Sequence, residues 1–123
     1  MDVIFFLALL LLNISCTNPV TQTPARGLDQ ETVSTTLRNY RHDMRRCYEE
    51  ALKSNKKTEG KVSIRWTVTP TGTVEQSSIA ATDTHLPELD RCVLKTVQNM
   101  KFPTANNGQP TFVVYPWRFT AKD

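Results

Sequence analysis

Three cysteines and two histidines are the residues of this 123-residue chain with the widest choice of chemistry. Cys47 stands among charged neighbours in Arg45-Arg46-Cys47-Tyr48-Glu49-Glu50, and Cys92 in Leu89-Asp90-Arg91-Cys92-Val93-Leu94. A catalytic thiol needs an activating base and an exposed, electropositive setting. Both of these thiols fall on apolar stripes, with no adjacent Cys-His signature. A zinc site would have to gather His42 and His85 beside Cys47 and Cys92, and neither histidine has the close spacing to a cysteine that zinc fingers show. Two readings stay open from the residues alone: buried free thiols, since free cysteine is among the most buried residue types, and a disulfide between Cys47 and Cys92. No metal or cofactor is expected. Nor is an enzyme, because the acidic residues form no tight pair within a motif and no phosphate-cradling glycine loop occurs.

The third cysteine, Cys16, points to the compartment. The apolar run from Val3 to Leu12 is too short for a bilayer-spanning helix of about 20 residues and has the length of a signal-peptide core, although Asp2 precedes it and no Lys or Arg does. It ends at Ser15-Cys16, which resembles a bacterial lipobox, with Asn13 standing where that pattern has an aliphatic residue. The expectation is a lipoprotein signal peptide over residues 1–15 and a lipid on Cys16; an ordinary signal peptide with an incidental cysteine is the plainer alternative. Three cysteines in an exported chain leave one over. With Cys16 acylated, Cys47 and Cys92 remain as an even pair where disulfides form and persist. Thr17 follows Cys16 where lipoproteins retained at the inner membrane often have Asp, so the expected location is the outer membrane, facing the periplasm. Export also argues against nucleic acid as a partner.

These residues need elements to hold them. Residues 16–28, rich in Thr, Pro and Asn, read as a flexible tether, and residues 29–123 as one domain. Asp29 can cap a helix, Glu31 suits its first turn, and Val33, Leu37, Tyr40, Met44, Cys47, Tyr48, Ala51 and Leu52 follow at helical spacing. The opposite face carries Arg38, Arg41, His42, Arg45, Arg46 and Lys53. Val62, Ile64, Trp66 and Val68 alternate with polar residues as a strand. Pro70-Thr71-Gly72 turns the chain into a return strand near residues 73–81, whose Val74 and Ile79 are an odd number apart and predict a bulge. Pro87 and Glu88 open a second helix with Leu89, Cys92, Val93, Thr96, Val97 and Met100 on one face. Thr111, Val113, Tyr115, Trp117 and Phe119 alternate as a last strand, marked by Pro116 as an edge or bulged one. The fold class is α+β, in the order α-β-β-α-β, with two helices packed on one face of a three-stranded antiparallel sheet.

From about Val33 to Phe119 these motifs together resemble the C-terminal domain of TonB-type energy transducers, and within it the variant at the C-terminus of the AgmX and PglI gliding-motility proteins. Arg46-Cys47-Tyr48-Glu49 with Ala51-Leu52 looks like that variant's first helix. Gly60-Lys61-Val62 and Pro70-Thr71-Gly72-Thr73-Val74 look like its hairpin, and Leu89-Asp90-Arg91-Cys92-Val93 like its second helix. Phe102-Pro103 and Tyr115-Pro116-Trp117-Arg118-Phe119 look like its closing elements; Met100 stands where the variant usually has tryptophan. The resemblance implies a periplasmic domain, a paired Cys47 and Cys92, and protein binding rather than chemistry.

Two surfaces are candidates for that binding. The edge bearing Val113, Tyr115, Trp117 and Phe119 offers backbone donors and acceptors for strand addition by an envelope protein or peptide. TonB proper has an inner-membrane helix and a long spacer; a tether of about 15 residues cannot span the periplasm, and active energy transduction is not expected. The second candidate is electrostatic. Nine Lys and Arg stand against four Asp and Glu between Arg38 and Arg65, and loss of Asp2 with the leader raises the formal charge from +3 to +4. Arg38, Arg41, Arg45 and Arg46 would then contact anionic lipid or an acidic cell-wall polymer.

Overall fold

The computed structural model describes residues 27–121; the expected leader, Cys16 and most of the tether lie outside that range. Asp29 opens the first helix as a cap, its carboxylate accepting the Thr32 N–H at 2.7 Å. The bonds from Thr32 hold the Asp29 carboxyl below its usual range, the side-chain bond first. The elements run α1 (Gln30–Asn39), α2 (Arg41–Ser54), β1 (Gly60–Val68), β2 (Val74–Thr82), α3 (Pro87–Gln98) and β3 (Thr111–Phe119).

The apolar stripe from Val33 to Leu52 predicts one helix, and the structure breaks it in two at Tyr40. Tyr40 leaves the helical region at φ −100°, ψ 12°, closes α1 with its N–H on the Leu37 carbonyl and starts α2 with its own carbonyl. Its phenol, half-buried, accepts the Lys101 N–H at 2.8 Å. The break has a geometric reason. A straight helix over residues 30–54 would be roughly 37 Å long, whereas nine-residue strands measure roughly 30 Å, so α1 must bend for Val33 and Leu37 to reach the core with Met44 and Cys47.

The three strands form one antiparallel sheet in the order β2-β1-β3. The helices cover one face: Val62, Ile64, Trp66 and Val68 of β1 are buried against Met44, Cys47, Tyr48 and Ala51 of α2 and Leu89, Val93 and Val97 of α3. The expected bulge between Val74 and Ile79 is present, and a second register shift falls where Ser63 and Ile64 meet Ala81 and Ile79. Gln76, at φ 51°, marks the first. Met100 lies just beyond α3, fully buried.

At the hairpin, Gly72 has φ +97°, and a Cβ there would run into the Phe102 carbonyl oxygen. That close approach fastens the 100–105 loop to the turn, with Phe102 N–H donating to Gly72 O and Ala105 N–H to Pro70 O, each at 2.9 Å. On the far side, Thr84 and Thr82 donate to the buried Asp90 carboxylate at 2.7 and 3.0 Å, locking the entry of α3 to the end of β2.

Candidate functional site

Helix α2 separates two grooves, and the side chains around its circumference decide which residues face each. On the α3 side, Cys47 and Cys92 are joined in a disulfide with a Cα–Cα distance of 5.6 Å, closing 45 residues of chain. Cys47 is buried and Cys92 half-buried at the helix rim. The Thr96 hydroxyl lies 3.5 Å from Cys47 Sγ but donates back to the Cys92 carbonyl at 2.9 Å. The groove over the bond has a volume of about 380 Å³ and carries Asp43 and Glu50 against Arg46 and Lys95. Its charges balance.

On the other side, α2 faces the last turn of the sheet. Arg41, Met44, Arg45 and Tyr48 stand at i, i+3, i+4 and i+7, one helical wall. Trp117, Arg118, Phe119 and Thr120 form the opposite wall of a groove of about 410 Å³. The Tyr48 and Phe119 rings lie 5.3 Å apart at its base, and the Tyr48 hydroxyl is occupied by the Thr58 carbonyl at 2.6 Å. Among the described residues, three arginines and no carboxylate line this groove.

Beside it runs a free edge. Among the described residues no strand pairs with the outer side of β3. The register between β1 and β3 holds unbroken from Gly60↔Phe119 to Val68↔Thr111, while β2, the other edge, is interrupted twice. Bulges re-aim and twist an edge, so β2 is blunted at two places, whereas β3 is interrupted only at Pro116. The direction of the β3 backbone follows from Lys61, whose N–H and C=O both turn to Asp83 on the β2 side. Its partner Arg118 therefore sits in a non-hydrogen-bonded pair, with N–H and C=O directed outward. By alternation Phe112 and Val114 do the same, and Pro116, which has no N–H to give, also takes an outward position, where β1 loses nothing. Phe112 and Val114 also leave 68% and 64% of their surface exposed.

The expected site residues are thus sorted. Val113 and Trp117 are half-buried on the inner face, Phe119 is buried and Tyr115 is 38% exposed, its ring 4.8 Å from that of Trp117. The basic helix face is not one surface: Arg41 and Arg45 join the β3 groove, Arg46 joins the disulfide groove, and Arg38, on α1, donates to Thr35 at 3.1 Å. The exposed Phe112, Val114 and Arg118 take the outer phase of the strand's alternation, which the sequence reading left unassigned. The signal available was that Thr111–Phe119 is apolar at positions of both phases. His42 and His85 are exposed, on α2 and before α3. Among the described residues, no group of three or more His, Cys, Asp or Glu is placed to hold a metal ion.

No helix among the described residues is long and apolar enough to cross a membrane. No curated protein matches the chain. Among solved structures it is similar to the C-terminal domain of Helicobacter pylori TonB, in two solution NMR structures. The shorter fragment is 16% identical with a TM-score of 0.55, over 72% of this chain and 96% of that one. The longer is 13% identical with a TM-score of 0.48, over 76% and 94%. Residues 49–121, from the middle of α2 through β3, match the family model of the Gram-negative bacterial TonB protein C-terminal. That family consists of envelope-protein interaction modules rather than enzymes. With its match covering more than half of the chain and the fold in agreement, the chain belongs to the TonB C-terminal family.

Proposed function

We propose that this domain is a non-enzymatic adaptor that captures an extended segment of an envelope protein by strand addition along β3, while a lipid on Cys16 holds it at a membrane. The observation that carries this is the contrast between the two sheet edges. β2 is twice bulged, whereas β3 is nine residues of regular strand with outward amides at Phe112, Val114 and Arg118. A sheet edge of that kind supplies affinity through main-chain bonds, and the pockets beside it read alternate side chains. Pro116 interrupts the row of donors once and keeps its carbonyl as an acceptor.

The tether and anchor rest on the residues alone. Ser15-Cys16 closes the apolar run, and acylation there leaves Cys47 and Cys92 as the bonded pair. The outer membrane, facing the periplasm, is the proposed location, by the same analogy at Thr17. The cysteine pair and the Tyr115-Pro116-Trp117-Arg118-Phe119 motif support placing the chain in the AgmX/PglI branch of its family.

A photo-crosslinking residue at position 112, in protein expressed in its native envelope, tests the strand reading. An adduct to one segment of an envelope protein, abolished by Val114→Pro in a domain with unaltered stability, is the expected result. An adduct that survives Val114→Pro overturns it. Intact mass of the envelope-purified protein tests the anchor: the chain should begin at residue 16 and carry acyl mass.

A further inference from the structure

Arg41 and Arg45 have no hydrogen-bond or ion-pair partner among the described residues, nor does Arg118. Among the described residues the ion pair on α2, Lys53 with Glu50 at 3.2 Å, lies at the far end of the helix. Two guanidinium groups beside an aromatic floor, with no carboxylate among the described residues that line the groove, repel one another and raise the local potential. Arg118, whose strand position places its side chain on the outer face of the sheet, borders the groove from the edge itself. Arg41 and Arg45 are the pair that projects from the helical wall.

We propose that the groove between α2 and the end of β3 reads carboxylates: the extended segment added to β3 carries Asp or Glu side chains that pair with Arg41 and Arg45, next to an apolar side chain seated on Met44 and Trp117. This rests on the strand-addition reading and adds the chemistry of the occupant. The repeat distances agree. Alternate side chains of an extended chain are spaced by roughly 6.7 Å, and residues four apart on a helix are spaced by roughly 6 Å along its axis, so acidic residues at i and i+2 of the segment meet arginines at i and i+4 of α2. Arginine suits the task, since its guanidinium fork matches a carboxylate and stacks on aromatic faces. Charge also restricts the occupant, because a basic segment would meet three like charges beside the edge.

The test uses the domain with its disulfide intact and two synthetic eight-residue peptides of Val and Tyr that carry, at two alternate positions of one face, Glu in one peptide and Gln in the other, with the remaining positions of that face apolar. At low salt the Glu peptide should bind about tenfold more tightly than the Gln peptide, the sum expected of two exposed charge pairs. High salt should erase most of that preference. The double variant Arg41→Gln, Arg45→Gln should abolish it while leaving Gln-peptide affinity unchanged, and Arg46→Gln, facing the other groove, should leave it intact. Val114→Pro should weaken both peptides. Equal binding of the two peptides, with Val114→Pro still weakening both, would overturn the carboxylate reading and keep strand addition. Binding of neither peptide would overturn both. Phosphatidylglycerol vesicles form the comparison arm: if Arg41→Gln, Arg45→Gln lowers vesicle adsorption and leaves peptide preference untouched, the wall is a lipid contact and the proposal fails.

Discussion

The two sides of helix α2 differ in how completely their chemistry is used. Toward α3, the thiols are spent on each other, the Thr96 hydroxyl on the Cys92 carbonyl, and two acids stand against two bases. Toward β3, a hydrophobic floor is left beneath Arg41 and Arg45, next to a strand whose outward amides and carbonyls have no partner among the described residues. Four residues of helix separate these outcomes. Arg46 and Cys47 face one side and Arg45 and Tyr48 the other, because each residue turns the helix by about 100°. A groove whose polar groups are satisfied internally contributes to stability; a groove with surplus charge and unpaired backbone is available to a ligand. The first side should therefore respond to substitution in stability, and the second in binding.

The largest effect expected is on the disulfide side. Replacing Cys47 and Cys92 together with Ala should cost about 2 to 5 kcal/mol in urea unfolding, since closing 45 residues contributes about 4 kcal/mol in the chain-entropy model and some buried contact is also lost. Reduction alone should loosen the domain and preserve its topology, because the apolar stripes remain. Peptide binding at β3 should be unchanged at temperatures where the variant is folded. A loss of binding in that folded variant would show that the two sides are coupled and break the comparison.

Next comes the lock on α3. Thr84→Val removes one of the two hydroxyls that satisfy Asp90 and should destabilise by about 1 to 3 kcal/mol, as expected when a buried acceptor loses a donor. Calorimetry would check it. Arg41→Gln with Arg45→Gln belongs to the other class: exposed and without partners among the described residues, these side chains should alter stability by no more than about 0.5 kcal/mol. A larger loss would mean that the arginine stems support the core and that this side of α2 also contributes to stability.

The smallest effect is the cap. The Asp29 carboxyl is held below its usual range by its Thr32 hydrogen bonds. A depressed folded-state pKa adds stability above the usual carboxylate range, and that addition is lost as pH falls through the folded value. Asp29→Asn should flatten the acid limb of the stability curve slightly without altering stability at neutral pH by much, because Asn also caps.

Much of this arrangement was legible in the residues. Helical spacing placed Met44, Cys47 and Tyr48 inward, period-two alternation placed Val62 to Val68, and the odd step from Val74 to Ile79 announced a bulge that the register contains. What escaped was tertiary in origin. Nothing between Arg38 and Asp43 punctuates a helix, since the break at Tyr40 answers to the length of the sheet and to a hydrogen bond from Lys101, 61 residues away. The basic helix face looked continuous because sequence spacing orders residues around a helix without showing where the neighbouring elements lie. Only when α3 and β3 are in place do Arg46 and Arg45 part company. The outward backbone of β3 likewise became readable through Lys61, whose bonds to Asp83 fix which pairs are hydrogen-bonded.

The central claim is that β3 accepts a strand, and backbone amide exchange tests it most directly. In the free domain the amides of Phe112, Val114 and Arg118 should exchange rapidly, since they point away from β1. With a saturating concentration of the Glu-bearing peptide, these three should slow together by at least about tenfold, the behaviour of amides brought into a ladder, while the amides of β2 stay as they were. If the three remain fast in the complex while protection appears on β2 or along α2 alone, β3 is an ordinary protected edge and the account is contradicted.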